Sequence, residues 1–418
     1  MTFFLFEYKD FTMLRILFLC FTCAALSAYG QTENDWEKRA SFGGLDRERA
    51  VAFSVGDFGY VGTGVDTAEN THNDLWQYDS GLDTWTQVAS MPASERRNAV
   101  AFSIDDKGYV GTGFSHDDGD LGVKLKDFWS YDPVANSWTA IADYPGGGDT
   151  GMYSGTAFSV LGKGYVACGK IGSNAYLNEL WEYDPEMDTW TARTPFPGGV
   201  RYQLVSFAVE NKAYVGLGTD NDVFRKDFYE YDPITNTWED APEFPGSERA
   251  QASTFSIGSK GFVVFGLDGG YKEELWEFDF YTQNWTLRAP FPGGGRKYAI
   301  AFAIADTGYA GIGKEPDGKK KSFYAYTPLG PLSAEESNQA EIKIYPNPAS
   351  DFLMINPGSI QADYTIQLCN LKGEMLIHAI TAMNQHKLNI AHLESGLYLI
   401  ILRDSHGKII SSKKINIL

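Results

Sequence analysis

Between residues 36 and 328 short apolar runs alternate with polar turns, and the alternation repeats. One full unit lies between Arg96 and Pro145. Its first run, Val100-Ala101-Phe102-Ser103-Ile104, is followed by Gly108-Tyr109-Val110-Gly111-Thr112-Gly113. A polar loop leads to Phe128-Trp129-Ser130-Tyr131-Asp132-Pro133, and Ser137-Trp138-Thr139 closes the unit. Runs of four to eight residues rich in Val, Tyr, Phe, Trp and Thr, bounded by Gly, Pro, Asp or Asn, predict strands, four to a unit. No stretch of the repeats sustains a helical period. The closing tryptophans, Trp36, Trp85, Trp138, Trp190, Trp238 and Trp285, recur at intervals of 49, 53, 52, 48 and 47 residues. Phe53, Phe102, Phe158, Phe207, Phe255 and Phe302 keep the same spacing, so there are six copies. A four-stranded sheet cannot bury both faces alone, whereas sheets packed side by side around an axis bury them all. The expected fold class is all-β: a six-bladed β-propeller over residues 31–328 closed by an N-terminal strand, then a small Ig-like β-sandwich.

The repeats resemble the kelch family. The glycines that end the second strand carry the likeness: Gly62 and Gly64, Gly111 and Gly113, Gly216 and Gly218, Gly311 and Gly313. With them goes the Tyr-Asp-Pro to Trp set at Tyr131 to Trp138, Tyr183 to Trp190 and Tyr231 to Trp238. The family has adjacent glycines where this chain has one residue between them, and repeat five keeps only Gly266 of the pair. The resemblance specifies a fold and is nearly silent on activity.

The sixth copy stops at Tyr326-Thr327-Pro328 without its tryptophan strand, and Trp36-Glu37-Lys38-Arg39 precedes any first strand. Trp36 is therefore expected to complete the sixth blade, which removes a free sheet edge. Strand alternation puts the loops from fourth to first strand and from second to third strand on one face. That face gathers segments 65–73, 114–126, 170–178, 219–226, 267–273 and 314–321. Loops held by a rigid scaffold are where function tends to sit.

Six positions before each inner-strand phenylalanine stand Arg47, Arg96, Met152, Arg201, Arg249 and Arg296. Two positions on, at the same side of an alternating strand, come Arg49, Asn98, Ser154, Gln203, Gln251 and Tyr298. Arg97, Tyr153, Tyr202 and Lys297 lie between. These groups are expected to ring one mouth of the channel and to form a ligand site suited to carboxylate, sulfate or phosphate, which the planar guanidinium fork matches. The competing reading is that the kelch pattern places an arginine here to hold a loop through backbone carbonyls.

The 418 residues carry a net charge of −19. Residues 342–418 contribute +2 and residues 1–30 nothing, which leaves −21 on residues 31–341. Such a surface repels nucleic acid and anionic membrane. Residues 13–30 read as a secretory signal, with Arg15 before the apolar run Ile16 to Leu26 and small residues Ala28 and Gly30 before Gln31. Glu7 and Asp10 are unusual for a signal start, so Met13 is an alternative first residue. The apolar run is too short for a membrane span. Cys20 and Cys23 leave with the signal; Cys168 and Cys369 fall in different domains and are expected free.

Other candidates are bland. Asp132, Asp184 and Asp232 read as turn residues beside proline. His116-Asp117-Asp118-Gly119-Asp120 and Asp220-Asn221-Asp222 carry calcium-type oxygen donors without a calcium-loop spacing, so calcium is a weak possibility and no other cofactor is expected. His72 and His116, with Asp117, are the remaining metal candidates. Copper oxidases of the same fold need two histidines, tyrosines and a cysteine crosslink, which this pattern does not supply. No nucleophile elbow, phosphate loop or zinc motif is present.

Residues 329–341 are polar and Pro-containing, a linker. Beyond it short strands are expected at 342–345, 352–356, 364–370, 374–379, 386–390, 396–403 and 408–416. This region resembles the C-terminal sorting domain of the type IX secretion system. The match runs through Ile344-Tyr345-Pro346-Asn347-Pro348-Ala349-Ser350-Asp351, Leu371-Lys372-Gly373, Leu393-Glu394-Ser395-Gly396-Leu397-Tyr398 and Lys413-Lys414. The resemblance implies export from a Gram-negative cell, the type IX machinery and its sortase as partners, and removal of the domain on arrival. The reading as a whole is a secreted or cell-surface, monomeric module that binds glycan or protein. The alternative is a carbohydrate-active enzyme, like the sialic-acid epimerases and sugar oxidases that secreted kelch propellers resemble; a general acid/base pair in the mouth would distinguish it.

Overall fold

The computed structural model describes residues 34–116, 122–221, 223–328, 343–356, 364–370, 375–381, 386–393, 395–404 and 409–417. The secretory-signal reading of residues 13–30 and the linker lie outside them. Residues up to 329 and residues from 330 on form two compact units.

The first unit holds six four-stranded antiparallel sheets. In blade 1 the strands run Val51–Val55, Phe58–Gly62, Leu75–Asp79 and Thr84–Val88 from axis to rim. The first strand alternates strictly: Val51, Phe53 and Val55 are buried, whereas Ala52 and Ser54 border the axial channel. Blade 6 is made from both ends of the repeat region. Its inner strands are Ile300–Ile304, Thr307–Gly311 and Phe323–Thr327. Its rim strand is Asp35–Arg39, which pairs with Phe323–Thr327 in the register Trp36 to Tyr326.

At five of the six junctions the blades meet through the same contact, and at the sixth Ala213 takes the place of the glycine beside Phe158. Phe53 lies over Gly108 of the next blade so closely that a Cβ on that glycine would fall inside the ring. Phe102 covers Gly164, Phe207 covers Gly261, Phe255 covers Gly308 and Phe302 covers Gly59, which brings the sixth blade back to the first. At the rim each closing tryptophan staples its blade to the preceding one. Trp85 Nε1 donates to the Ala40 carbonyl at 3.1 Å, Trp138 to Ala89 at 2.8 Å and Trp36 to Ala289 at 2.9 Å. The turn before the tryptophan answers in five blades, as where Ala89 N–H donates to Asn136 Oδ1 at 2.8 Å and Ala289 N–H to Asn34 Oδ1 at 3.0 Å; Pro242, the acceptor of Trp285, has no N–H to give. Apart from Trp36 the closing tryptophans are half-buried, binding blade to blade rather than filling a single interior. Asp132 accepts the backbone N–H groups of Val134 and Ala135, the turn role expected of it.

The second unit packs two antiparallel sheets. Strands Lys343–Tyr345, Phe352–Asn356 and His386–Asn389 form one; Met375–Thr381, Tyr364–Asn370, Gly396–Asp404 and Ile409–Ile417 form the other. Leu353, Ile355, Ile366, Leu368, Ile400, Leu402 and Ile415 make the core between them.

Trp36 is 9% exposed and packs edge-on against Phe291 at 5.1 Å. Replacing a buried tryptophan by alanine costs about 3–5 kcal/mol. Trp36→Ala is expected to lose stability on that scale in chemical denaturation, and an unchanged midpoint would place residues 34–39 outside the fold.

Candidate functional site

Five of the six inner strands are entered through an arginine. Arg47, Arg96, Arg201, Arg249 and Arg296 are at most 2% exposed. Arg96 donates to both oxygens of Asp127 at 2.9 and 2.6 Å, to the Thr112 carbonyl at 3.1 Å and to the Ser94 carbonyl at 3.1 Å. Arg47 repeats the set with Asp74, Thr63 and Leu45, and Arg201 with Asp227, Leu217 and Gly198. Arg249 takes Glu274, Phe265 and Ser247. In blade 6 a serine stands where the other blades have the acid. Arg296 bonds Ser322 there, the Ile312 and Gly293 carbonyls, and Glu315. Four of the guanidinium groups also lie 4.8–5.2 Å from the centroids of Phe42, Phe196, Phe244 and Phe291.

These five arginines therefore do not ring the mouth, and the expectation that they hold a ligand is corrected. Their donors are occupied inside the fold, where each ties the fourth-to-first loop to the end of the second strand and the start of the third. Sequence alternation failed here for a local reason. The residue two positions on is left-handed in every blade: φ is 60° at Arg49, 56° at Asn98, 57° at Ser154, 58° at Gln203, 63° at Gln251 and 51° at Tyr298. A left-handed residue breaks the period-two rule, so position and position-plus-two no longer share a side. Met152, at the sixth place, is buried, and Glu179 beside it accepts from Gly147 N–H and the Trp181 indole instead.

Left-handed geometry is unfavourable for residues with a Cβ by roughly 1–2 kcal/mol each. Here a closed circuit of backbone bonds holds it. Asn98 N–H donates to Arg49 O, Ser154 to Asn98, Gln203 to Ser154, Gln251 to Gln203, Tyr298 to Gln251 and Arg49 to Tyr298, at 2.8–3.3 Å. The side chains of this circuit also join. Asn98 Nδ2 donates to Ser154 Oγ at 2.8 Å, Gln251 Nε2 to Gln203 Oε1 at 3.0 Å and Gln203 Nε2 to Tyr298 Oη at 2.6 Å. The Arg49 guanidinium lies 4.3 Å from the Tyr298 ring centroid. Together they floor the mouth. Below the floor the axis is lined by small side chains, Ala52, Ala101, Ala157, Ser206, Thr254 and Ala301.

Above the floor, each intermediate residue bridges to the residue that follows the second-strand glycine. Arg97 bridges to Phe114, Tyr153 to Lys170, Tyr202 to Thr219 and Lys297 to Lys314, while Glu48 pairs with Val65. Glycine is required just before this residue because the chain turns with φ of 107° at Gly113. A cavity of about 280 Å³ opens among these bridges on blades 1 to 4. Arg49, Arg97, Asn98, Tyr153, Tyr202 and Gln203 line it, joined by Phe114, Ser154 and Lys170. Of the sequence candidates, Gln251, Lys297 and Tyr298 stand on the neighbouring blades, outside that lining.

Aromatic faces and cations alternate along the wall. Tyr176 and Tyr202 stack at 4.9 Å, with Lys170 Nζ 4.9 Å from the Tyr202 centroid. Phe114 and Tyr153 meet at 5.4 Å, and the Arg97 guanidinium lies 5.6 Å from Phe114. Most lysines and arginines of the propeller have a carboxylate within ion-pair distance. Among the described residues the four cations of the bridges, Arg97, Lys170, Lys297 and Lys314, have none, and neither do Lys38, Lys107, Lys124, Lys126 and Lys321. Burial, and then the charge of Arg49, lowers the proton affinity of Arg97. Burial does the same to Lys297 and raises the Tyr153 and Tyr298 hydroxyls. The mouth is a positive, partly dry surface. Glu48, 4% exposed, is the acid on the same ring; its Oε2 carries no hydrogen bond.

Lys170, Phe114 and Lys314 were missed as individuals, although each opens one of the variable segments and directly follows a second-strand glycine. The acid partners were missed too. Asp74, Asp127, Asp227 and Glu274 each stand just before the third strand, and Glu179 holds the equivalent place within the longer strand Ala175–Asp184. The metal candidates do not converge. His72 Nε2 lies 3.2 Å from Asp66 and His116 Nε2 lies 3.1 Å from an Arg97 nitrogen. Asp220 pairs with Arg225 at 2.7 Å, and residues 117–121 and 222 lie outside the described set. Among the described residues no group of three or more His, Cys, Asp or Glu is placed to hold a metal. Cys168 is buried and free, its thiol pushed well up by burial.

Residues 343–417 match the family described as a secretion system C-terminal sorting domain. The chain carries a type IX secretion system sorting domain. That domain indicates delivery to the cell surface or beyond and an interaction with the type IX machinery. Among the described residues no helix is long and apolar enough to cross a membrane. Comparison with curated proteins found no match. Among solved structures, one titled "Structure of YjhT" is similar over 69% of this chain and 97% of its own, with 16% identity and a TM-score of 0.57. At that identity the likeness shows the propeller fold alone.

Removing one member of a buried ion pair costs about 3–5 kcal/mol, because its partner is left charged and unsatisfied. Arg201→Ala is expected to destabilise the chain on that scale in denaturant titration. A loss below about 1 kcal/mol would show that the pair with Asp227 does not hold the frame.

Proposed function

We propose that the propeller is a binding module for an acidic glycan, delivered to the cell surface or medium by its sorting domain and freed of that domain by the system's sortase. The observation that carries the reading is the set of cations at the mouth with no carboxylate partner. An acid group between Arg97 and Lys170 makes charge-assisted hydrogen bonds, each contributing roughly 1.5–3 kcal/mol where water is excluded. Phe114, Tyr153 and Tyr202 offer flat apolar faces to a sugar ring. Asn98, Ser154 and Gln203 offer donors and acceptors to its hydroxyls, as a small-ligand site requires. Among the described residues no carboxylate or histidine lines the cavity, which supports binding over acid–base turnover. The second reading, a sugar-modifying enzyme, would need the buried Glu48 carboxylate to reach the ligand, and Glu48→Gln would then abolish turnover while leaving binding intact.

The test is a glycan array probed with the full chain, followed by calorimetry on hits. Acidic glycans are expected to bind, with affinity falling as salt rises. Lys170→Ala or Tyr202→Ala is expected to weaken binding about tenfold or more. Binding confined to neutral glycans, or affinity untouched by both substitutions, would contradict the reading.

A further inference from the structure

We infer that the ligand is an extended polyanionic glycan lying across the axis, with one acidic group at Arg97 and Lys170 and another at Lys297 and Lys314. This rests on the reading of the mouth as an anion-binding surface and adds to it the length and charge spacing of what binds.

Three observations carry it. The four cations of the bridges, which have no carboxylate at ion-pair distance among the described residues, fall into two sets. Arg97 and Lys170 belong to blades 2 and 3, whereas Lys297 and Lys314 belong to blade 6, which faces blade 3 across a six-fold axis. The two sets are also built alike. Lys170 lies over Tyr202 and Tyr176, and Lys297 Nζ lies 5.5 Å from the ring centroids of both Tyr271 and Tyr298. Each set therefore pairs an ammonium with aromatic faces, the combination that holds an acidic sugar. Both are fixed by backbone bridges, Tyr153 to Lys170 and Lys297 to Lys314, so little ordering is lost on binding.

The floor supplies the third observation. Gln203 of blade 4 reaches Tyr298 of blade 6, and Gln251 reaches Gln203, so side chains span the mouth. A chain cannot thread the channel past this lattice and must lie on it. What it meets between the two cation sets is Arg49 and the amides of Gln203 and Gln251. Hydroxyl groups of intervening sugars match these polar groups. Burial already disfavours the charged form of Lys297, so a bound acid would restore it. Two acids on blade 1 oppose the chain, the buried Glu48 and the exposed Glu69. Glu69, on the blade 1 loop, is held below its usual range by Lys319, with Arg97 and Lys314 contributing from farther off. Its charge repels a polyanion on that side and steers it over Gln203 and Gln251.

Carboxylate and sulfate groups share this chemistry, and the experiment separates them. The full chain is titrated by calorimetry with galacturonic acid, with tetra-galacturonate, with a sulfated tetrasaccharide and with a tetra-glutamate peptide. A tetrasaccharide is expected to bind at least tenfold more tightly than the monosaccharide, and whichever of the two is tighter names the acid group. The double substitution Lys297→Ala with Lys314→Ala is expected to remove that gain and leave monosaccharide affinity within about twofold, with an unchanged melting temperature. Glu69→Gln is expected to tighten tetrasaccharide binding severalfold, a gain that misfolding cannot produce. A tetrasaccharide no tighter than the monosaccharide, or an advantage that survives the double substitution, would overturn the extended ligand and leave the acidic-glycan reading standing. Tetra-glutamate binding above both tetrasaccharides would overturn the glycan assignment. No binding of any probe by the unaltered chain would overturn both.

Discussion

Each blade has a phenylalanine on one face and, on the other, a glycine (an alanine in blade 4) that a neighbour's phenylalanine covers. Neither face is satisfied until the next blade is in place, and the last blade is satisfied only by the first. Phe302 on Gly59 is that final contact. Ring closure is thus a packing requirement, and it dictates that Asp35–Arg39 leave the start of the repeats to become the rim of blade 6. The same cyclic logic recurs at the rim in the indole-to-carbonyl staples and at the axis in the circuit of six backbone bonds. Three closed sets of contacts at three radii make the scaffold stiff enough to hold charged side chains in fixed positions without mutual neutralisation.

Cations are used in two ways on this scaffold. Arg96 and Arg97 are adjacent in sequence, yet one is sealed against Asp127 and two carbonyls and the other stands at the mouth without a carboxylate. The left-handed residue that follows, Asn98, turns the backbone toward the axis and separates the two directions. In an acidic unit there are carboxylates to spare, so a cation left unpaired is informative. All four cations on the bridges of blades 2, 3 and 6 lack a carboxylate at ion-pair distance among the described residues. Mutual repulsion and burial at that place are unfavourable for the free protein and are offset when an anion arrives.

The sequence made the architecture plain because propeller packing repeats, and repetition turns weak strand signals into a strong one. Six tryptophans and six phenylalanines at one spacing sufficed for the blade count, and the incomplete sixth repeat pointed to Trp36. The sorting domain was legible from its motifs in order. The site was legible only in part. Candidates were taken from both parities of a strand assumed to alternate, so the buried arginines entered the list together with Arg49, Asn98 and Gln203. Five consecutive repeats carry an acid at the equivalent place by the third strand, which was signal enough to assign the arginines to the frame. Lys170 and Lys314 lay in segments that vary between repeats, where periodicity is silent and only three-dimensional placement brings them beside Tyr153 and Lys297.

The most direct test sets two neighbouring substitutions side by side, Arg96→Ala and Arg97→Ala, with melting temperature and affinity for an acidic glycan measured on each. The account predicts that Arg96→Ala lowers the melting temperature markedly, while Arg97→Ala leaves it nearly unchanged and weakens binding about tenfold or more. Loss of stability from Arg97→Ala with affinity retained, or loss of affinity from Arg96→Ala in a chain of unchanged stability, would contradict the division between frame and mouth.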